Sequence, residues 1–215
     1  MTSFCFSFST GKDSLIALDT LIQTGYQPAG LITSLNADIQ RSWFHGVPPA
    51  ILTQIGTSLD LPLTLVNTQV DDYQTAMVAA LTQYQKQGVT HCGFGDIDIL
   101  QNRQWDETVA HAAQLIPLLP LWQADRTANV HHFLNRGYTA IIKTVSKASK
   151  IPTAFLGQPL DQTFIDYLQA HDLDVCGENG EYHTLVVDGP LFKQPITYQT
   201  AGIFESPYAY SLIIN

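Results

Sequence analysis

The run Ser9-Thr10-Gly11-Lys12-Asp13-Ser14 brings together residue types that bind phosphate. It stands between a pattern that predicts a buried strand and one that predicts a helix, so backbone N–H groups and the helix dipole favour an anion there. The glycine lets the chain approach the anion closely, the serines offer hydroxyl donors, and Lys12 supplies a positive charge. Asp13 either caps the helix or helps to hold a magnesium ion. An ordinary strand-to-helix turn has the same composition, and both interpretations stay open at this point.

A second polar run, Gly177-Glu178-Asn179-Gly180-Glu181-Tyr182-His183-Thr184, has the residue types of acid-base chemistry. A carboxylate such as Glu178 or Glu181 can orient an amine and accept its proton as the amine attacks. Asn179 can fix an acceptor by hydrogen bonding, and His183 titrates near neutral pH. The same spacing also fits a solvated turn, and strand alternation allows His183 to point into a core instead.

Asp96 follows the predicted strand Val89 to Phe94, at the edge where parallel sheets bind ligands. We therefore consider Asp96 for substrate or magnesium binding, with capping of the next segment as the alternative. Arg103 and Glu107 stand one helical turn apart, which fits an exposed ion pair as well as a site. The tryptophans are interpreted as core or pocket wall, and the pair His131-His132 lacks a third metal ligand at useful spacing.

Elements that alternate along the first part of the chain must position these residues. Predicted strands cover 3–8, 29–35, 63–67, 89–94 and 118–122, and predicted helices cover 13–24, 48–59, 71–87 and 103–115. The simplest packing of this order is a parallel sheet covered by helices on both faces, which is a Rossmann-like α/β fold.

The pattern changes after Asp125 and predicts a smaller α+β domain. Helices are predicted over 128–135 and 162–170, and strands over 138–145, 184–187, 196–200 and 208–214. We therefore divide the chain into two domains, 1–125 and 126–215.

Composition excludes several classes of protein. Hydrophobic residues make up 45% of the 215 residues and charged residues only 13%, which excludes disorder as the main state. The formal charge of -9 opposes general binding to nucleic acid, because such binding needs a field of positive charge.

The three cysteines, Cys5, Cys92 and Cys176, are widely spaced and form no CxxC pair. This pattern favours neither a zinc site nor a redox couple and suits a reducing compartment. Since no apolar run reaches the roughly 18 residues of a membrane span, the sequence predicts a soluble, cytoplasmic protein.

Two motifs carry a resemblance to a known family. The first run resembles the SGGxDS loop of the ATP pyrophosphatase superfamily, with Thr10 where the first glycine is usual. The second run, with Asp188-Gly189-Pro190-Leu191-Phe192 after it, is similar to the signature of the diphthine ammonia ligase family. The segments Phe94-Gly95-Asp96-Ile97 and His45-Gly46-Val47 look more like the bacterial branch of that family.

The resemblance implies a nucleotide-binding fold of the HUP type and an ATP-dependent carbon–nitrogen ligase, with 1–125 as its ATP-binding domain and 126–215 as its substrate domain. Such an enzyme adenylates an acceptor carboxylate, releases AMP and pyrophosphate, and forms an amide with ammonia; ATP and Mg²⁺ are the implied cofactors. The implied site residues are Lys12, Glu178, Glu181 and His183 for catalysis; Ser9, Thr10, Gly11, Lys12, Asp13, Ser14, Thr33 and Ser34 for the nucleotide; Asp96, Arg103, Asn179 and Thr184 for the substrate; and Asp13 and Asp96 for the metal.

The implied partners are ATP, ammonia and a carboxylate on a small molecule or a protein. Resemblance to the bacterial branch implies an acceptor other than diphthine, with cobalamin-like compounds as one candidate class. No general nucleic-acid binding and no membrane contact are expected, and a homodimer stays open. The alternatives are a transfer RNA-modifying enzyme of the same superfamily and a non-catalytic adenine-nucleotide sensor, which nucleotide turnover would distinguish from a ligase.

Overall fold

A computed structural model of the protein describes residues 2–43 and 45–215. The first part of the chain forms a mostly parallel sheet, sheet A, in which strands alternate with helices. Its elements are β1 (Ser3–Ser7), α1 (Lys12–Gln23), β2 (Gln27–Asn36), β3 (Arg41–Ser42), α2 (Pro49–Ser58), β4 (Leu63–Thr68), α3 (Tyr73–Lys86), β5 (His91–Gly93), α4 (Leu100–Ala112) and β6 (Ile116–Leu118).

Sheet A has β1 at its centre. This strand pairs in parallel with β2 on one side and with β5 on the other, and β4 and β6 extend the sheet outward in the same direction. The short β3 pairs antiparallel with the end of β2. Because parallel strands need crossover connections, the helices lie on the sheet faces and the carboxyl ends of the strands share one edge.

The residues of β1 show why the sheet is buried on both faces. Side chains alternate along a strand, so Phe4 and Phe6 point to one face and Cys5 to the other. The first face packs against α1 and α2, and the second packs against α3 and α4. The predicted Rossmann-like α/β fold is confirmed.

The second part of the chain forms an antiparallel sheet, sheet B, with strand order β8-β7-β10-β9. Its elements are α5 (Arg126–Asn135), β7 (Thr139–Ser146), a 3-10 turn (Thr153–Phe155), α6 (Gln162–Ala170), β8 (Tyr182–Asp188), β9 (Thr200–Glu205) and β10 (Ala209–Ile214). This is the predicted α+β arrangement. The division into domains 1–125 and 126–215 stays a prediction, and one apolar cluster runs through both parts, from Phe6 of β1 to Leu185 of β8.

Two predicted strands are misplaced. The strand expected over 118–122 is β6, which ends at Leu118. Pro120 follows and has no N–H group with which to continue a strand ladder. The strand expected over 196–200 begins only at Thr200, because Ile196 bonds back to the carbonyl of Val187. Every residue of β9 is exposed, so apolar periodicity could not reveal this strand.

Across residues 2–43 and 45–215, no helix has the length and apolar character that crossing a membrane requires.

Candidate active site

A cavity of about 500 Å³ opens at the carboxyl ends of the parallel strands of sheet A. Its wall comes from the loop after β1, the end of β2, the first turn of α3, the loop after β5 with the start of α4, and much of the segment 176–184. The edge predicted for ligand binding therefore meets the second polar run of the sequence in one place.

The loop of residues 9–14, here called the first loop, is closed by its own hydroxyl groups. The N–H of Ser9 donates to Oγ of Ser14 at 3.1 Å, and the N–H of Gly11 donates to Oγ of Ser9 at 3.3 Å. Helix α1 has Gly11 as its N-cap and no side-chain cap, so the capping role considered for Asp13 is wrong. In the described ranges, the N–H groups of Asp13 and Ser14 show no acceptor, which leaves two donors for an anion at the helix start.

Two neighbouring residues fix the shape of the first loop. A Cβ on Gly11 would lie 2.7 Å from Cε1 of His45, so only glycine fits there without displacing that ring. Thr10 has a φ of 75°, a left-handed conformation in which a β-branched residue is strained. Its carbonyl accepts from the N–H of Val186 at 3.0 Å, and its buried Oγ1 has no partner in the described chain. The Thr10 side chain does not line the cavity, so its placement does not support the nucleotide contact expected of it.

Lys12 is a buried cation at the base of the cavity. Its Nζ donates to Oδ2 of Asp13 at 2.7 Å and to the carbonyl of Cys176, and it lies 5.3 Å from the ring centre of Tyr182. Burial by itself lowers the pKa of Lys12, but Asp13, Tyr182 and Cys176 together outweigh it and hold the pKa well above its usual value. Lys12 is therefore charged at neutral pH, and one of its three N–H bonds is left for a ligand.

Several hydrogen bonds join the first loop and His45 to the segment 176–184. The N–H of Lys12 donates to Oγ1 of Thr184 at 3.0 Å, and Sγ of Cys176 donates to Oδ1 of Asp13 at 3.5 Å. Nδ1 of His45 donates to the carbonyl of Thr184 at 2.7 Å. Thr184 thus lines the cavity, but its hydroxyl group is bonded to the backbone of the first loop. This is a structural contact, in addition to the substrate role expected of Thr184.

Glu178 lines the cavity beside Asp13. One ligand atom from each of Asp13, Cys176 and Glu178 lies within 4.8 Å of the others. Burial, followed by the charge of Asp13, raises the pKa of Glu178 to about 7. Burial also raises the pKa of the Cys176 thiol, which therefore stays protonated and makes a poor ligand.

The donor set of this cluster fits magnesium. Two crowded carboxylates are hard oxygen ligands, and a divalent cation would relieve the repulsion that raises the pKa of Glu178. Asp96, the other residue predicted to bind metal, lies outside the cluster. The geometry therefore favours Glu178 over Asp96 as the partner of Asp13.

Glu181 does not line the cavity, although it was expected to be catalytic. Its carboxylate is buried within its own loop, where it accepts from the N–H of Asp174 at 3.4 Å and from the N–H and Nδ2 of Asn179, each at 3.1 Å. Asn179 is held at its other end by Arg126 and also lies outside the cavity wall. Both residues shape the loop, so their placement does not support the direct catalytic and substrate roles expected of them.

Comparison with known proteins agrees with the two motifs. Residues 126–206 match the family model of the diphthamide synthase C-terminal domain. Diphthine–ammonia ligases of Bos taurus and Homo sapiens are each 28% identical over 151 residues, which are 69% of this chain and 57% of each relative. The chain is similar to the diphthine–ammonia ligases. The Danio rerio ligase is 33% identical over 109 residues, 49% of this chain and 43% of that protein.

The chain therefore spans little more than half the length of these ligases. A solved structure described as a predicted subunit of tRNA methyltransferase from Methanocaldococcus jannaschii has a TM-score of 0.49 and 14% identity, covering 91% of this chain and all of that one. A match this loose says nothing about function. The resemblance to diphthine–ammonia ligases that the two motifs carry is confirmed.

Two histidines lie side by side in the cavity wall. The rings of His45 and His183 have centres 5.1 Å apart. Burial and the charge of Lys12 lower the pKa of His183 to about 4, and burial and His183 lower the pKa of His45 to about 3. Both rings are therefore neutral at physiological pH, so neither supplies a positive charge to a phosphate.

The remaining predicted residues divide into two groups. Thr33 and Ser34 line the cavity, where Oγ1 of Thr33 donates to the carbonyl of Phe8 at 2.7 Å and Oγ of Ser34 lies 3.0 Å from the hydroxyl of Tyr73. Arg103 lies outside the cavity wall. It pairs with Glu107 at 2.7 Å and covers the ring of Trp122, which is the exposed ion pair considered as its alternative role.

Sequence reasoning missed several residues of the site. The sequence gives His45 no role beyond the family resemblance. It gives no signal for Arg126, which donates hydrogen bonds to Asp98, Asp174 and Asn179. Asp106 also lines the cavity and is buried on α4. The sequence does carry a signal for Asp106, because it lies on the same helical face as the apolar residues Val109 and Ala110. A carboxylate on a buried face is unfavourable unless it has a specific role.

Proposed function

We propose that the protein is an ATP-dependent ligase that adenylates an acceptor carboxylate and converts it to an amide with ammonia. The observation that carries this proposal is the junction of the two motifs. Lys12 of the first loop contacts Thr184 of the second polar run and Cys176, the residue just before that run. A phosphate-binding loop and a set of carboxylates suited to proton transfer thereby face one cavity. The similarity to diphthine–ammonia ligases supports the same reaction class.

In the first half of the reaction, the chain binds and activates ATP. The start of α1 offers backbone N–H groups to phosphate oxygens, and Lys12 screens the charge that builds on the leaving pyrophosphate. An oxygen of the acceptor carboxylate bonds to the α-phosphorus while the bond to the β-phosphate oxygen breaks. The products of this half are an acyl adenylate and pyrophosphate.

Magnesium would be held by Asp13 and Glu178, the two carboxylates of the cluster described above. When bound, it supplies neutralising charge for the phosphate oxygens.

In the second half, ammonia forms a bond to the acyl carbon and AMP leaves with its oxygen. The attacking nitrogen must lose a proton. Glu178 lines the cavity and can accept it on the carboxylate oxygen that does not hold the metal. His45 and His183 hold the loops together and bound the cavity as neutral rings.

Product analysis tests the proposal. The protein is incubated with ATP, Mg²⁺, ammonium and a panel of carboxylic acids, and the nucleotide products are separated. AMP and pyrophosphate in equal amounts are expected with the true acceptor, whereas ADP and phosphate as the only products would contradict adenylation.

A binding measurement tests the role of the first loop separately. Lys12→Ala should weaken ATP binding about tenfold or more, since a buried charged contact is lost. The matched control is Lys86→Ala, on the exposed end of α3, which should bind ATP like the parent. Equal ATP affinity of both variants would remove Lys12 from the phosphate site.

A further inference from the structure

Arg126 begins helix α5 and joins it to two segments that contribute to the cavity wall. Its Nε and Nη2 donate to the two carboxylate oxygens of Asp98 at 2.7 and 2.8 Å. Its Nη1 donates to Oδ2 of Asp174 at 2.5 Å and to Oδ1 of Asn179 at 3.1 Å. Asp98 lies in the loop between β5 and α4, and Asp174 and Asn179 lie in the segment before β8. One guanidinium group therefore holds together three segments that are distant in sequence.

The position of Arg126 is unfavourable for the helix itself. It occupies the first position of α5, directly after the N-cap Asp125. The dipole of a helix favours negative charge at this end and disfavours a cation. The contacts with Asp98 and Asp174 offset this effect, so Arg126 serves the segments that it joins and not the helix that it begins.

Asp174 connects Arg126 to the backbone of the cavity wall. Its Oδ2, which accepts from Arg126, also accepts from the N–H of Glu178 at 3.0 Å, and its Oδ1 accepts from the N–H of Cys176 at 2.9 Å. Glu178 and Cys176 belong, with Asp13, to the cluster whose donor set fits magnesium. Without Arg126, the Asp174 carboxylate loses its charged partner and can rotate away from both N–H groups.

A second residue of α5 holds the other side of this cluster. Nδ2 of Asn129 donates to Oδ1 of Asp13 at 3.0 Å. Asn129 is buried and follows Arg126 by three residues, so the two side chains lie on the same face of the helix. The start of α5 thus reaches Asp13 directly and Glu178 through Asp174.

We propose that Arg126 is a positioning residue, which holds the carboxylate of Glu178 beside Asp13 through its bond to Asp174. Arg126 does not line the cavity, so it acts through Asp174 and not on a ligand. This inference rests on the proposed function, in which Glu178 helps to hold magnesium and accepts a proton. Replacing a residue that orients a metal ligand typically lowers metal affinity by about ten- to a hundredfold.

The rate at which iodoacetamide labels Cys176 tests whether Arg126 holds this segment. Cys5, Cys92 and Cys176 are all buried and free, so each reacts only when its surroundings open. Mass spectrometry resolves the three thiols. Cys5 and Cys92, in β1 and β5, report opening of sheet A, and Cys176 reports opening of the segment before β8. Arg126→Gln should label Cys176 about tenfold faster or more, with little change at the other two cysteines.

Arg136→Gln is the matched control, because Arg136 stands at the other end of α5 and makes the same kind of two-pronged pair. Its Nε and Nη2 donate to the carboxylate of Asp19 at 2.8 and 3.1 Å, and neither residue lines the cavity. This variant should lose stability without a selective increase in the labelling of Cys176. Circular dichroism checks folding, and if Arg126→Gln does not fold, Asp98→Ala, which breaks the exposed side of the same bridge, decides.

Binding of Mn²⁺ alone, measured from the electron paramagnetic resonance signal of the free ion, tests the effect on the cluster. Mn²⁺ prefers the same oxygen ligands as Mg²⁺. Arg126→Gln should weaken Mn²⁺ binding about tenfold. A contribution to stability alone would leave binding unchanged, and a purely electrostatic effect would tighten it, because a positive charge is removed. In a Glu178→Gln background, Arg126→Gln should add little, since the ligand that Arg126 positions is already lost.

The positioning role is overturned if Arg126→Gln labels Cys176 no faster than Arg136→Gln does, or if it leaves Mn²⁺ binding unchanged or tighter. It is also overturned if the effect on Mn²⁺ binding is the same with and without the Glu178 carboxylate. If the parent binds no Mn²⁺, the metal assignment fails, and the labelling rates decide whether Arg126 holds the segment. Because labelling needs neither ATP nor an acceptor, its outcome is separate from that of the ligase proposal.

Discussion

The backbone N–H of Lys12 donates a 3.0 Å hydrogen bond to Oγ1 of Thr184, which lies 172 residues further along the chain. Both groups are buried, so this bond fixes the start of α1 against β8. The cavity depends on that contact, because the first loop and the second polar run supply opposite parts of its wall.

Thr184→Val should therefore weaken both the fold and the site. Valine has nearly the shape of threonine but leaves the Lys12 N–H buried without an acceptor, which costs about 1–3 kcal/mol. We expect urea denaturation to show a loss of this size and ATP titration to show weaker binding. Thr200→Val, on the exposed strand β9, is the control and should change neither measurement. Unchanged stability of Thr184→Val would mean that the bond contributes little.

Glu178 and Glu181 should respond differently to the same substitution. Glu178→Gln removes the proposed proton acceptor and should slow amide formation about a hundredfold, the usual scale of lost acid-base catalysis. Glu181→Gln weakens the hydrogen bonds that shape its loop, and its main effect should be a loss of about 1 kcal/mol in the free energy of unfolding. Turnover with the true acceptor and thermal unfolding separate the two effects. The reverse pattern would return catalysis to Glu181.

The stability of Glu178→Gln relative to the parent should depend on pH. The pKa of Glu178 is about 7 in the folded protein, above its usual value of 4.5, so the folded state holds the proton more tightly than the unfolded state. The parent therefore loses stability from this group as pH rises from 4.5 to 7, and the variant does not. We compare the free energy of unfolding of the variant with that of the parent at each pH. Between pH 4 and pH 8 this difference should shift in favour of the variant by on the order of 1 kcal/mol, after allowing for partial exposure. A difference that is constant with pH would contradict the raised pKa.

Thr10→Gly should stabilise the protein. Glycine adopts the φ of 75° without strain and removes a buried hydroxyl that has no partner in the described chain. These gains exceed the entropy cost of glycine, and the net effect should be about 1 kcal/mol in the free energy of unfolding. Thr10→Ala separates the causes, because it removes the hydroxyl but keeps a Cβ at the strained position. Thermal denaturation of the three proteins measures both contributions, and a lower stability of Thr10→Gly would show that the threonine side chain packs favourably.

The amino-acid sequence by itself determined the class of fold and the two motifs. Strand and helix periods are local properties, so the alternation up to Leu118 predicts a parallel sheet without knowledge of its partners. The first loop can also be recognised from local sequence, because hydroxyl residues, a glycine and a lysine stand at one strand-to-helix junction. Exposed β9 had no such signal, because its residues face solvent and carry no burial pattern.

Tertiary structure decided which of the candidate side chains share a site. Spacing alone treats Glu178 and Glu181 as equivalent. The turn that contains them, just before β8 begins at Tyr182, directs the carboxylate of Glu178 to Asp13 and that of Glu181 to Asn179. Arg103 and Asp106 stand three residues apart on α4, yet one covers Trp122 outside the cavity and the other is buried in its wall. Such differences arise from packing between distant segments, which sets the direction and burial of each side chain and is absent from the local pattern.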